Sequence, residues 1–461
     1  MIGLVIFLLA VYFFLYNEKR YISIFCIFML ATSGFQLIPV DLITLPAAGV
    51  SKPYDWVLIF TGLMFLFFPK LFLNQAIWKT YKNLKVFGAV LVFLLLYSIY
   101  IRGVEVSISI RVFRNFIFFL PIFLFTTIDK KAFEKIFGLI IYATTIASIF
   151  YCLQTITGKA ILNTVGSDTV TVNDETPVTR FYNLPVFIYP VIFFFFFGKK
   201  VVNIKFYYVL MAINAMAIIL SQHRNLLLAI ICCYLLHLFL SQKIKPVKLV
   251  AYVVGAIIVF NIGDSLLGNR FSEGAKDLSH ASVGVSPATI NALNLSDLST
   301  TEFRYYLVVE RLQYVMLNPV TSMFGIGFLT EDSRKTQDLR FNIGLPDDEN
   351  NVTQVDTGDV IWSVMVLQFG LFGILFFIFF YYYFLRIFYV FKKSVVPQIG
   401  ILYIVILFIT SFYGTAILQP YSTCMVVFIA AYTYVLNTST NFSIYSFKNK
   451  SNEGFDHYAL V

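Results

Sequence analysis

Arginine is the residue type most able to do chemistry in this chain, and it recurs at a few defined places. The stretch SQHRNLLLAI, beginning at Ser221, sets Gln222, His223 and Arg224 between two hydrophobic runs. Arg304 and Arg311 are seven residues apart in TEFRYYLVVERLQYVMLNP, two helical turns and therefore one face. Arg111 and Arg114 lie three apart in IRGVEVSISIRVFRN. A guanidinium is a planar fork that binds phosphate or carboxylate through two parallel hydrogen bonds, so this pattern is that of a site for an anion. Arg224 opens a helix, and a helix N-terminus adds favourable partial charge for the same kind of ligand.

Each residue also has a plainer reading. The arginines can pair with local acids such as Glu105, Glu302 or Glu310, and Arg304 with Arg311 can form a solvated basic stripe. Arg111 and Arg114 suit lipid headgroups as well as a second substrate phosphate. His223 is an interfacial neighbour of Arg224, while His280 in a loop and His237 in an apolar run read as structural. Cys26, Cys152, Cys232, Cys233 and Cys424 all fall in apolar runs without paired or ligand spacing, which implies packing rather than disulfides or zinc. No histidine cluster or Asp-x-Asp pair suggests a divalent ion, so neither metal nor cofactor is expected.

The elements that must hold these residues are membrane helices. Of 461 residues 59% are hydrophobic and 13% charged, against roughly half and a quarter in soluble domains. Apolar runs near 2–16, 21–40, 56–69, 86–100, 116–128, 136–158, 182–198, 206–221, 225–240, 249–263, 360–385, 399–418 and 424–437 predict an all-α polytopic fold of about thirteen transmembrane helices. Residues 2–16 have no preceding positive segment and no cleavage site, so they read as a first membrane helix rather than a signal peptide.

The net charge of +9 is explained by lipid rather than nucleic acid, because its distribution alternates. Twenty lysines and arginines occupy one set of connectors, among them Lys19, Lys70, Lys130, Lys199, Lys243 and Lys392, and eighteen of the twenty are lysine. The positive-inside rule assigns this set to the cytoplasm, with the C-terminus inside and the N-terminus outside. Of the fourteen in the other set, ten are arginine: Arg102, Arg111, Arg114, Arg180, Arg224, Arg270, Arg304, Arg311, Arg334 and Arg340. An anchor needs only charge, which lysine supplies; the outer arginines imply a bound anion.

This organisation divides the chain into helices 1–10 over 1–263, a large outer loop domain over 264–359, helices 11–13 over 360–437 and a cytoplasmic tail over 438–461. Within the loop domain, Ser279 to Thr301 reads as loop around Pro287. Apolar spacing from Phe303 to Met316 then predicts a helix on or beside the membrane, ended by Pro319. FGIGFL follows, a turn whose Gly325 and Gly327 would let backbone approach a ligand, and then the polar stretch LPDDENNVTQVDTGD.

From about Ala212 to Leu375 the chain resembles the superfamily of bacterial O-antigen polymerases and O-antigen ligases. Three elements carry the likeness: Ser221 and Arg224 in an outer turn opening a helix; a helix from Arg304 to an Asn-Pro and FGIGF; and Asp359, about eleven residues before GLFG at Gly370. Ligases usually have histidine at the position of Asp359 and an acid where this chain has Gln368, a departure that favours polymerase.

The resemblance implies glycosyl transfer on the periplasmic face of the bacterial inner membrane. Donor and acceptor are undecaprenyl-pyrophosphate-linked oligosaccharides, with a chain-length regulator as a possible partner beside membrane lipid. Charge develops on the departing diphosphate and must be stabilised. Arg224 and Arg304 are the residues expected to do so, without a metal, with Arg311, Arg111, Arg114, Arg270 and His223 as further binding residues. A carboxylate suffices as base for the acceptor hydroxyl, and Asp359 is the candidate with Asp356 as substitute; its competing role is a helix N-cap. A ligase differs only in using a lipid A core acceptor. A lipid-linked oligosaccharide flippase is the non-enzyme alternative, disfavoured by the large outer segment and the absence of an evident repeated half.

Overall fold

The computed structural model describes residues 1–46, 49–163, 179–198, 202, 204–240, 298, 300–345, 352–355 and 359–453, with the side chains of residues 17, 224 and 439–453 excluded. The expected helix 249–263, Arg270, Asp356, His280 and most of the expected loop 279–301 therefore lie outside the described residues.

Among the described residues the fold is helical, with no strand. Its principal helices are α1 (Ile2–Leu15), α2 (Arg20–Ala31), α3 (Asp55–Phe67), α4 (Lys82–Leu96), α5 (Val106–Phe113), α6 (Lys130–Thr157) and α7 (Ile188–Phe197). After these come α8 (Tyr207–Leu220), α9 (Arg224–Leu240), α10 (Thr300–Met316), α11 (Ile361–Val390), α12 (Val395–Thr410) and α13 (Pro420–Glu453). Among the described residues three helical stretches are long and apolar enough to cross a membrane: Lys82–Ile101, Lys130–Thr157 and Ile361–Val390, of 20, 28 and 30 residues. A crossing needs about 20 residues. The other apolar helices, α1, α2, α7, α8, α9 and α12, are shorter.

Several expected helices are cut short for identifiable reasons. The run 21–40 leaves the helix at Ala31, where Ser33, Gly34, Phe35 and Gln36 take positive φ and the Gly34 amide closes the helix end on the Met29 carbonyl. The run 116–128 is not one helix: a 3₁₀ turn at Arg114–Phe116 and a single turn at Ile122–Phe125 flank Pro121. The run 182–198 becomes helical only at Ile188, after Phe187 at φ 68°. Beyond α3 the chain bends by 103° into Pro69–Thr80. At 116–128 the composition stays apolar through the break, so hydropathy alone does not register it, whereas the Thr32-Ser33-Gly34 stretch is a polar interruption that a coarse apolar run passes over.

The core is aromatic. Phe28 of α2 has ring contacts with Phe125, Phe187 and Phe428, at 5.8, 5.5 and 5.1 Å. Within the bundle α6 packs on α8, and α11 packs on α4, α10 and α12. Where a polar side chain is buried it joins helices: Asn214 of α8 accepts from the Ser148 hydroxyl at 2.9 Å and donates to Thr145 Oγ1 at 2.7 Å, both on α6. Bonds of this kind contribute about 0.6–2 kcal/mol in an apolar surrounding.

The described part of the 264–359 segment is packed on α11 rather than detached from it. α10 ends at Met316, and Asn318 caps a short helix, Pro319–Phe324. The FGIGF turn then meets the GLFG stretch of α11. Gly370 breaks that helix at φ 60°, ψ −171°, and a Cβ there would fall 2.5 Å from the Gly325 nitrogen. A Cβ on Gly325 would fall 2.5 Å from the Gln368 carbonyl carbon. The Ile326 amide donates to the Leu367 carbonyl at 2.8 Å, and Gln368 Nε2 donates to the Leu329 carbonyl at 2.6 Å. The close approach these glycines permit is therefore to another helix, not to a ligand.

Candidate functional site

Residues that the sequence scatters over separate connectors converge around Arg304. Arg304, in the second turn of α10, grips Asp359 with its fork: Nε donates to Oδ1 and Oδ2 at 3.0 and 2.9 Å, and Nη2 to Oδ1 at 2.7 Å. Asp359 is not the N-cap of α11. That position belongs to Val360, without a side-chain cap bond. The two side chains are 28% and 18% exposed, so the pair is neither a solvated surface bridge nor a fully buried one.

His223 faces this pair from the turn between α8 and α9. Gln222 at φ 53° turns the chain, the Ser221 hydroxyl donates to the Ile218 carbonyl at 2.6 Å, and the His223 carbonyl accepts the amides of Leu226 and Leu227 at 3.1 Å. His223 thus starts α9, with the Arg224 backbone as the first helical residue. Its imidazole is pushed down to about 3, first by burial and then by the charges of Arg180 and Arg304.

Arg180 is the unexpected member. Its Nη2 lies 3.3 Å from His223 Nδ1, and its guanidinium sits 4.7 Å over the Tyr182 ring, itself 5.2 Å from the imidazole. Its neighbours on the chain are fastened to α6. The Thr179 amide donates to the Thr155 carbonyl at 3.0 Å, and the Tyr151 hydroxyl to the Phe181 carbonyl at 2.8 Å. Gln154 and Asn183 join at 2.9 Å in the same network, and Gln154 Oε1 accepts the amides of Ile161 and Leu162. Tyr413, in the connector between α12 and α13, lies within reach of the Arg304 charge. Burial raises its phenol and Arg304 is the charge that opposes this. Its segment is tethered by Trp362 Nε1 donating to Ser411 Oγ at 2.9 Å.

The other arginines named from sequence are committed elsewhere. Arg311 does not share a site with Arg304: it is 1% exposed, lies 4.4 Å over Phe341, and donates to Glu310 at 2.8 Å and to the carbonyls of Ile343, Thr353 and Gln354. It organises the chain after the FGIGF turn, and burial pulls it down to about 10 against the opposing charges of Glu310 and Glu331. Arg111 pairs with Asp332. Arg114 bridges to Asp55 at 2.9 Å and donates to Ser51 Oγ at 3.1 Å. Pairing with an acid thus describes Arg304 as well as Arg111, Arg114 and Arg311, and of their partners Glu310 alone is among the local acids named above from the sequence. The Arg224 side chain, Arg270 and Asp356 lie outside the description.

Taken together, the site holds the Arg304–Asp359 pair, with a neutral imidazole and a phenol within reach of the Arg304 charge and Arg180 in contact with that imidazole. It suits an anion carrying acceptor oxygens. Among the described residues no three or more His, Cys, Asp and Glu side chains gather as a ligand set for a metal. No protein-family model matches the chain, and no curated protein is significantly similar to it in sequence.

Proposed function

We propose that the protein is a membrane glycosyltransferase that polymerises oligosaccharide repeat units carried on undecaprenyl pyrophosphate, on the periplasmic face of a bacterial inner membrane. The reading takes the chain to cross about thirteen times, with 264–359 outside as a loop domain, and it follows from the resemblance described above. The observation that supports it best is the Arg304–Asp359 pair with Arg180 and His223 beside it, assembled from connectors assigned to one side by their arginine content.

In this reaction the acceptor hydroxyl attacks the anomeric carbon of the donor's reducing-end sugar. A carbon–oxygen bond forms, the bond to the diphosphate breaks, and the diphosphate leaves with the electron pair. The hydroxyl proton passes to Asp359. In the unliganded site Asp359 already accepts three hydrogen bonds from Arg304, leaving little of its roughly four-site capacity. A diphosphate competing for the Arg304 fork would release the carboxylate as it binds, so donor binding prepares the base. Arg224, at the N-terminus of α9, is the second arginine assigned to the diphosphate.

The test is transfer by the purified protein, in lipid nanodiscs, from lipid-linked repeat units. Extension of the lipid-linked glycan supports a polymerase. Transfer only to a lipid A core acceptor identifies a ligase, and bilayer crossing of the lipid-linked glycan without any transfer identifies a flippase. Chelator that abolishes transfer, with recovery on adding magnesium, would overturn the metal-independent mechanism.

A further inference from the structure

The arrangement of Arg180 and His223 settles which imidazole nitrogen carries the proton. A guanidinium has N–H donors and no acceptor, so His223 Nδ1, 3.3 Å from Arg180 Nη2, must accept. A neutral imidazole then holds its proton on Nε2. That Nε2 is buried and has no hydrogen-bond partner among the described residues. Among the described residues two further buried donors are without a partner: Arg180 Nε, on the residue already in contact with His223, and the hydroxyl of Tyr413, a phenol on which the Arg304 charge acts. Buried donors left unpaired are costly, and an acceptor from outside that met them would remove that cost. The charge agrees: Arg304 is paired with Asp359, while Arg180 lies against the imidazole and the Tyr182 ring, neither of which carries negative charge.

We propose that Arg180, His223 and Tyr413 form a donor seat for a phosphate-class oxyanion, in which His223 serves as a neutral Nε2–H donor and neither a cation nor a base. The seat deepens the transfer reaction above by naming the groups that hold the departing diphosphate. It rests on that reading for the lipid carrier and not for the anion. Arg180 is then a bifunctional positioning residue, fixing the imidazole tautomer with Nη2 while presenting Nε to the ligand.

The experiment uses full-length protein in nanodiscs, labelled with ¹⁵N-histidine. Only four histidines are present, and His223→Gln identifies the resonance of His223 by its loss. At pH 6 His223 should be neutral with the proton on Nε2, and inorganic pyrophosphate should move the Nε2 signal. Among variants, His223→Gln places an amide nitrogen near the Nε2 position and should keep pyrophosphate affinity within about threefold. His223→Asn, which reaches only to Nδ1, and Tyr413→Phe should each weaken it about tenfold, the usual scale for one hydrogen bond to a charged ligand. Undecaprenyl pyrophosphate binding more tightly than inorganic pyrophosphate names the lipid as the source of the anion; equal affinity names a soluble phosphate, and both leave the seat in place. Binding of this pattern in a protein that transfers no glycan would keep the seat and remove the polymerase. A cationic His223 at pH 6, an Nε2 signal unmoved by saturating pyrophosphate, or equal binding by the Gln and Asn variants overturns the proposal.

Discussion

Asp359 and Arg304 are the two residues whose replacement separates chemistry from folding most cleanly. Asp359→Asn removes the charge and the base while nearly preserving shape, and Asp359 makes no cap bond that the change would disturb. Transfer is expected to fall by about 10²–10⁴-fold with expression retained. Normal turnover in this variant would leave the aspartate as a partner of Arg304 and nothing more. Arg304→Lys should also lose transfer, since an ammonium cannot reproduce the three donations of the fork. His223 makes a prediction in pH. Its folded value near 3 lies below the ordinary 6.5, so between those values the unfolded chain binds the extra proton and stability falls as pH drops. Thermal unfolding of the wild type should decline more steeply from pH 7 to pH 5 than that of His223→Gln, by at most about 1.4 kcal/mol per pH unit. Parallel pH profiles would show a histidine that is not held neutral. Of these residues, Arg304, Asp359 and His223 were legible as candidates because they interrupt or border apolar runs. Arg180 was visible only as one more outer arginine, and Tyr413 gave no signal among 29 tyrosines. Their roles depend on how four connectors meet, which no local spacing encodes.

At the scale of elements, the glycines of FGIGF and GLFG hold the site's scaffold together. Gly325 at φ 73° and Gly370 at φ 60° sit backbone to backbone, where Cβ atoms would come within 2.5 Å of main-chain atoms. A non-glycine residue at such angles costs about 1–3 kcal/mol before any clash. Gly370→Ala should therefore lower the melting temperature sharply and shift α10 away from α11, carrying Arg304 away from Asp359. Gly62→Ala is the matched control, because a Cβ there meets nothing within 4 Å. Equal melting temperatures for the two variants would dismiss the docking argument. Helical periodicity located α6, α10 and α11 well, since long apolar or amphipathic runs bounded by charge or proline leave few alternatives. It failed after Ala31, where left-handed backbone at Ser33–Gln36 ends the helix, and at 116–128, where short turns flank Pro121 inside an apolar composition.

At the scale of the whole molecule, the two kinds of connector keep separate company. Connectors of the arginine-rich set contact one another through Arg111–Asp332, Arg114–Asp55 and Arg180–His223, and Ser333 donates to Glu105 at 2.7 Å. Lysine-bearing ends meet in their own contacts: the Tyr383 hydroxyl donates to the Thr80 carbonyl at 3.1 Å, and Asn83 Nδ2 to the Phe380 carbonyl at 3.2 Å. On the positive-inside rule, connectors separated in this way are expected to place the lysine-bearing set in the cytoplasm. The consequence is testable with a membrane-impermeant maleimide in a background whose native cysteines are replaced by serine. Leu317→Cys, at an 82% exposed position beyond α10, should react in cells with only the outer membrane opened. Lys393→Cys, between α11 and α12, should react only after the inner membrane is breached. The reverse pattern would put the arginine cluster in the cytoplasm, where lipid-linked repeat units awaiting polymerisation on the outer face could not reach it, and the transferase reading would fall with the topology.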